Sequence, residues 1–256
     1  MIPGGGAGSE WYASQNLMNA RAKRYLIRAQ KGLKEGTSVM DAQALCTRIR
    51  QDLTDVEERI KGNSWLAELE AGRLSTGALR AFAGEQLHII PSDMRSFEML
   101  AQRFGTDPTH GYLTGMVAAE RAALGPLEAF ASAVGLDSAA RCSFEPVPGC
   151  QVYPSYVARL GRDGIPAQIA GAFLVNLEAW GTCCARMAAA LPANYQISRE
   201  DCAFFRHFAG PATELEQASL AVIETGLAHG ADPVGIARAA RLLQAYELLF
   251  WDSLPR

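Results

Sequence analysis

The chain has 256 residues, of which 49% are hydrophobic and 20% are charged, and its net charge is only −3. This length is sufficient to bury a sizeable core, and the apolar content excludes an intrinsically disordered chain. The small net charge argues against a nucleic-acid-binding surface, which would need a clear excess of basic residues. We therefore expect a globular protein with a small-molecule substrate and no nucleic-acid partner.

The chain contains six cysteines but no CxxC pair, and Cys183 directly precedes Cys184. This spacing is unsuited to a zinc knuckle or an ordinary disulfide, so we expect mostly buried thiols in a reducing compartment. No uninterrupted run of eighteen apolar residues occurs, and the N-terminus lacks the pattern of a signal peptide. The sequence therefore predicts a cytoplasmic protein without a membrane partner.

Residues 1–39 differ in composition from the rest of the chain. They begin with a glycine-rich stretch and carry six Lys and Arg residues against two Glu residues, a net charge of +4. Such a charge run is usually a solvated face, so we expect a basic N-terminal extension in the form of a solvated helix. No repeat or linker divides residues 40–256, which we interpret as one domain.

From residue 41 onward, apolar residues recur at helical spacing and alternating runs are almost absent, which predicts an all-α fold. Residues 143–154 contain Pro146, Pro148, Gly149 and Pro154 and predict a surface connection. The apolar segment from Pro166 to Leu191 predicts the central core helix. The other predicted helices run from an N-cap at Ser75 to Gly105 with a kink at Pro91, from Tyr112 to Val134, from Arg199 to Phe208, from Thr213 to His229, and from Val234 to Trp251.

Two sequence motifs carry a resemblance to a known group of proteins. The run Ala-Tyr-Glu-Leu-Leu-Phe-Trp-Asp at residues 245–252 resembles the closing helix of TenA-type proteins, in which the Glu points into a central pocket, and Pro-Ser-Tyr-Val-Ala-Arg at residues 154–159 agrees with the same family. The chain is similar to the heme-oxygenase-like superfamily from about residue 50 to its end. This resemblance implies a helical bundle around a buried pocket, and in many members a homodimer.

Within this superfamily, TenA-type aminopyrimidine hydrolases use a metal-free pocket. The resemblance places Glu85 at the position of a pocket carboxylate, Tyr156 at that of a tyrosine and Glu247 at that of the C-terminal Glu. Asn176 stands about where these enzymes carry a cysteine nucleophile, and an amide is not a nucleophile of this kind. Tyr156, Asn176 and Trp180 are the predicted walls of the substrate pocket.

The heme-oxygenase-like diiron oxidases are the other branch that the chain resembles. Glu120 and Glu178 match two carboxylate ligands of these enzymes, and His207 matches the first histidine of their C-terminal ligand run. The following Asp and His positions fall on Pro211 and Glu214. The resemblance thus implies an iron site formed by Glu120, Glu178, His207 and Glu214, which is a reduced set of ligands.

The chemistry of these side chains is consistent with either branch. Iron centres that activate dioxygen favour imidazole and carboxylate ligands from facing helices. Glu178 has apolar neighbours and would be costly to bury without a partner. Glu85 and His88 lie three residues apart on one helical face, where they would bind metal or act as acid and base. Burial of Glu247 would raise its pKa, which suits a general acid or base.

Three functional hypotheses follow from these residues. The first is a non-heme iron-dependent oxidase or oxygenase that acts on a small organic substrate, with the four iron ligands named above. The second is a metal-free hydrolase of TenA type that uses Glu85 and Glu247 as acid and base. The third is a ligand-binding or assembly protein that retains the fold without catalysis. The core-helix Glu and the following His favour the first hypothesis at the level of sequence.

Overall fold

A computed structural model describes residues 41–105, 108–210 and 212–256. The basic extension predicted for residues 1–39 lies outside the described residues. Throughout the described ranges the regular secondary structure is helical, which confirms the predicted all-α class. The helices are, in chain order, α1 (Ala42–Asp52), α2 (Thr54–Lys61), α3 (Ser64–Glu70), α4 (Thr76–Arg103), α5 (Thr109–Ala133), α6 (Ser138–Cys142), α7 (Pro148–Asp163), α8 (Pro166–Asn194), α9 (Ala203–Phe208), α10 (Thr213–Ala228) and α11 (Pro233–Ser253).

Helix α4 begins where the sequence predicts. The Ser75 side chain accepts a hydrogen bond from the backbone N–H of Ala78, which caps the first turn. The helix passes through Pro91 and continues to Arg103, although proline removes one backbone hydrogen bond. Phe82 and Phe97 are fully buried on this helix, so the packing of its apolar face outweighs the missing bond.

The surface connection predicted for residues 143–154 is wrong in its second half. Helix α7 begins at Pro148, and Pro154 lies within it. Proline is favourable in the first helical turn, because the N–H groups there have no intrahelical partner. Beyond the first turn, Tyr153, Val157 and Leu160 are buried. The packing of these side chains stabilises the helix although Pro154 lies within it.

Helix α8 is the central core helix, as the sequence predicts. Helices α3, α9, α10 and α11 all pack against it. The core contains an aromatic cluster, and its rings lie at edge-to-face or tilted angles with centroid distances of 4.8–6.5 Å. Such arrangements stabilise a core beyond the area that they bury. The cluster contains Phe82, Phe130, Phe205, Phe250 and Trp251.

The cysteines are free thiols, and all except the exposed Cys142 are buried, as the sequence predicts. In the part of the chain that the structure describes, no helix combines the length and the apolar character needed to cross a bilayer.

Close approach of α4 and α7 leads to a stability prediction. A Cβ atom added at Gly161 would lie 2.8 Å from the backbone oxygen of Ser96, so the two helices would have to move apart. We expect Gly161→Ala to lower the free energy of unfolding by about 1–3 kcal/mol, measured by urea denaturation. Gly115→Ala is the matched control on α5, because no atom of the described residues lies within 4 Å of its added Cβ. The control should gain about 0.5–1 kcal/mol, and equal effects of the two changes would contradict the prediction.

Candidate active site

A cavity of about 760 Å³ lies between α4, α5, α7, α8, α9, α10 and α11. This volume falls in the range of small-molecule sites, about 300–1,000 Å³. Most of its walls are apolar or aromatic. They include Ile89, Ile90, Tyr112, Met116, Tyr153, Phe173, Leu177, Trp180, Phe208 and Phe250.

Helical spacing explains which side chains face the cavity. On α4, the lining residues Gln86, Ile89, Ile90 and Asp93 are three or four positions apart across each turn, so they share one face. On α5, Tyr112, Met116 and Glu120 follow one another at intervals of four residues and line the cavity in the same way. Each helix therefore presents one carboxyl group within an otherwise uncharged stripe.

Three carboxyl groups converge in the depth of the cavity. Asp93, Glu120 and Glu247 all line it, and they are only 2%, 7% and 4% exposed. A fourth acid, Glu214, lines the cavity from an exposed position. None of the described lining residues is Lys or Arg. The cavity is therefore acidic, and its geometry favours a ligand that carries positive charge or several N–H donors.

Glu247 is held in place by two side chains. The indole Nε1–H of Trp251 donates to its Oε1 over 2.8 Å, and the Asn176 amide also hydrogen-bonds the carboxylate. The same amide donates to Gln244 Oε1 over 2.9 Å, which fixes its orientation. Burial raises the pKa of Glu247 to about 7, and the hydrogen bonds from Trp251 and Asn176 limit this rise. Near neutral pH this carboxyl group therefore exists in both protonation states.

Asp93 and Glu120 are less well satisfied than Glu247. Asp93 Oδ1 and Glu120 Oε2 are buried, and neither has a hydrogen-bond partner within residues 41–105, 108–210 and 212–256. Burial raises the pKa of Glu120 to about 8. The pKa of Asp93 is raised well above its ordinary value by burial, then by the charge of Glu120 and then by that of Glu247. The phenol of Tyr153 lies among these groups, and burial followed by the charges of all three carboxylates raises its pKa.

The structure brings several of the predicted site residues together. Asn176 and Trp180 line the cavity, as do Glu120 and Glu247. His207 lines it from an exposed position on α9, like Glu214 at the start of α10. Trp180 packs edge-on against Phe208, with 5.9 Å between the ring centroids. These residues line one space from five different helices.

Glu178 lies elsewhere, which corrects the expectation that it is a buried ligand. Its side chain is 62% exposed, and its Oε1 forms an ion pair with Lys61 Nζ at 3.0 Å. Two positions after Asn176, it lies roughly 200° further around the helix and points away from the cavity. The predicted ligand set is thus not assembled. Within the described residues, no three His, Cys, Asp or Glu side chains are close enough to hold a metal ion, so these side chains do not fit an iron centre.

Glu85 and His88 also lie outside the cavity lining. Glu85 is fully buried, and its carboxylate accepts hydrogen bonds from the backbone N–H of Val147, over 2.6 Å, and from Gln151. These contacts join α4 to the start of α7. His88 is exposed and stacks on the Phe144 ring. Both side chains therefore have structural contacts instead of the predicted catalytic ones.

Tyr156 is likewise displaced from its predicted place. It packs against Tyr246, with 5.3 Å between the ring centroids, and Tyr153 lines the cavity instead. Sequence reasoning also missed Gln86 and Asp93. On a helical projection, Gln86, Ile89, Ile90 and Asp93 form a stripe one position further along than Glu85 and His88. This projection is the signal that could have indicated Gln86 and Asp93.

Solved structures with the same architecture include TenA homologues. One, from P. horikoshii OT3, superposes with a TM-score of 0.67 over 81% of this chain and 96% of its own, at 12% identity. A TenA homologue from Pseudomonas syringae pv. tomato gives 0.63 over 86% and 98%, also at 12% identity. A domain of unknown function from Shewanella denitrificans, described as having a heme-oxygenase-like fold, gives 0.53 over 77% and 90% at 15% identity. These likenesses confirm the heme-oxygenase-like fold.

Sequence comparison agrees with this fold. No curated protein sequence matches the chain. A sequence model of one family matches residues 64–254, which include every helix that lines the cavity. This match covers most of the chain, and it shows that the protein belongs to the TENA/THI-4/PQQC family.

Proposed function

We propose that the protein is a metal-free hydrolase that cleaves a carbon–nitrogen bond of a small aminopyrimidine in this cavity. The observation that carries the proposal is Glu247, a buried carboxyl group with a pKa of about 7 that two neighbours orient toward an enclosed space. Membership of the TENA/THI-4/PQQC family supports a small-molecule substrate. The proposal replaces the iron-dependent oxidase, because the ligands predicted for iron do not meet.

A carboxyl group with a pKa near the working pH is effective both as a base and as an acid. In its ionised form, Glu247 takes a proton from a water molecule while the water oxygen forms a bond to the substrate carbon. The carbon–nitrogen bond breaks, and the protonated Glu247 returns the proton to the leaving nitrogen. One water molecule is consumed, and the products are an alcohol and ammonia. Trp251 and Asn176 hold the carboxylate in one orientation through both steps.

Direct attack by water is favoured over a cysteine intermediate. No cysteine is among the described residues that line the cavity, and Asn176 faces it instead. Cys183 and Cys184 are buried elsewhere on α8. Burial raises the pKa of Cys183 to about 12 and that of Cys184 well above its ordinary value. Both thiols therefore stay protonated near neutral pH and are poor nucleophiles.

The walls of the cavity suit a flat, basic heterocycle. Phe250, Trp180 and Tyr112 supply aromatic surface against which a pyrimidine ring would pack. Gln86 and Asn176 offer amide groups that would donate to or accept from the ring nitrogens and the exocyclic amine. The buried acids would stabilise a protonated ring, because an opposite charge nearby favours the charged form.

A hydrolysis assay tests this proposal. The purified protein is incubated with an aminomethyl-substituted aminopyrimidine of the kind formed when thiamin breaks down. We expect release of ammonia and the hydroxymethylpyrimidine in equal amounts, detected by chromatography with mass spectrometry. The rate should be the same with and without a metal chelator. Two results would refute the hydrolase: product release that requires added iron and dioxygen, or no product release from any aminopyrimidine tested.

A further inference from the structure

The cavity contains two acidic groups that take no part in the proton transfers of the proposed hydrolysis. Asp93 on α4 and Glu120 on α5 face it from adjacent helices, and each has one buried oxygen that finds no hydrogen-bond partner among the described residues. Leaving such a polar atom unsatisfied costs on the order of 1–3 kcal/mol, and more for a charged group. Two such atoms in one small-molecule cavity indicate that a ligand supplies the missing donors.

The chemistry of the surroundings limits which ligand can do so. Burial raises the pKa values of Asp93 and Glu120, so without a ligand both are largely protonated near neutral pH. No Lys or Arg is among the described lining residues, whereas a positively charged ligand group between the two acids would lower both pKa values and bind their ionised, acceptor forms. The other titratable groups that face the cavity are Tyr112, Tyr153, His207, Glu214 and Glu247. Of these, Tyr112 and Tyr153 have raised pKa values because of burial and stay neutral near pH 7. His207 is exposed on α9. A positively charged ligand group is therefore the natural partner of this pair of carboxyl groups.

Glu247 differs from Asp93 and Glu120 in its hydrogen bonding. Its carboxylate already receives hydrogen bonds from Trp251 and Asn176, whereas Asp93 and Glu120 each keep one oxygen that is unpartnered among the described residues. The two side chains are near enough for the charge of Glu120 to raise the pKa of Asp93. A protonated amine carries three N–H donors on one nitrogen, which is more than the two donors that these oxygens lack. Charge-assisted hydrogen bonds of this kind are about twice as strong as neutral ones.

We propose that Asp93 and Glu120 form a cation subsite and that the natural ligand carries a protonated amine or amidine that binds between them, in addition to the group on which Glu247 acts. This inference rests on the proposed function, because it assigns the ligand class of the same cavity. It concerns binding alone and involves no covalent step. Its prediction is a preference for ligands with two separated nitrogen cations over ligands with one.

Two probes of nearly equal shape test the subsite. 1,4-Bis(aminomethyl)benzene carries two ammonium groups, and 4-ethylbenzylamine replaces one of them by a methyl group. We expect calorimetric titration at pH 7.5 to show that the diamine binds at least about tenfold more tightly. The preference should fall to about one in Asp93→Asn and Glu120→Gln, which keep the shapes of the side chains. Glu178→Gln, on the exposed face of α8, is the control and should retain it.

The outcomes separate the subsite from the hydrolysis. Equal binding of the two probes, no binding of either, or a preference that survives in both variants would overturn the subsite. If the diamine preference is found but no aminopyrimidine is hydrolysed, the proposed reaction is wrong and the subsite stands. If hydrolysis is found without any preference for the diamine, the proposed function stands and the subsite does not.

Discussion

Replacing Glu247 by glutamine is expected to lower kcat/KM for aminopyrimidine hydrolysis by at least a factor of about 100, which is the lower end of the contribution of a positioned general acid or base. Glutamine has nearly the same shape and can still accept the hydrogen bond from Trp251. It cannot exchange a proton with water or with the leaving nitrogen. The loss should therefore appear mainly in kcat, with a smaller change in KM.

The pH profile gives a second readout of the same group. In the native protein, the rate should rise with pH through the region of about 7, where Glu247 becomes ionised. This limb of the profile should disappear in Glu247→Gln, while a thermal melt shows that the variant is folded. A merely structural role for Glu247 would alter the melt and leave the shape of the profile unchanged.

Glu178→Gln is the matched control for this prediction. It makes the same chemical change on the core helix, at a side chain that is 62% exposed and paired with Lys61. We expect its activity to be unchanged and its free energy of unfolding to differ by less than about 1 kcal/mol, because exposed ion pairs contribute little. If Glu178→Gln were inactive and Glu247→Gln still active, the result would contradict the hydrolase and favour the hypothesis of an iron-dependent oxidase.

The fold was predictable because its signals are local. Apolar side chains at helical spacing identify the long helices, and Ser75 has the side chain that caps α4 in the structure. Pro148 was misleading, because proline at the start of a helix and proline in a loop look alike in sequence. What distinguishes them is the burial of Tyr153 and Val157 further along α7, which depends on contacts with distant parts of the chain.

The candidate site was less predictable, because helical phase and long-range partners decide it. One residue shifts a side chain by about 100° around a helix, so Gln86 faces the cavity and Glu85 does not. Glu178 has apolar neighbours in sequence, yet its partner Lys61 lies 117 residues away, and no local pattern reveals it. Glu247 was found because its motif is specific. Asp93 was missed because its sequence neighbours are largely polar and resemble an exposed turn of helix.

The free energy of unfolding should depend on pH because of the buried acidic side chains. The pKa of Glu120 is raised from 4.5 to about 8, so between these two pH values the unfolded chain loses a proton that the folded protein keeps. The free energy of unfolding must therefore fall as the pH rises through this window. The contribution of Glu120 to the free energy of unfolding is fully present below about pH 4.5 and is lost above about pH 8. Asp93, whose pKa is also raised, adds to the fall.

Glu120→Gln should remove part of this pH dependence and thereby stabilise the protein at high pH. We expect a gain of about 2–4 kcal/mol at pH 9 and almost none at pH 4, measured by urea denaturation at each pH, since one pKa unit corresponds to about 1.4 kcal/mol. The variant also removes the charge that raises the pKa of Asp93, so the remaining slope should shift toward lower pH.

Glu85→Gln is the contrasting variant. Burial raises the pKa of Glu85 as well, but the hydrogen bonds from Val147 and Gln151 limit this rise. Glutamine weakens those bonds, so we expect Glu85→Gln to gain clearly less stability at pH 9 than Glu120→Gln. A larger gain in Glu120→Gln than in Glu85→Gln would mean that the unsatisfied cavity acid reduces stability, as groups that serve a ligand do. A loss of stability in both variants would mean that Glu120 has a partner that supports the fold, and the cation subsite would lose its physical basis.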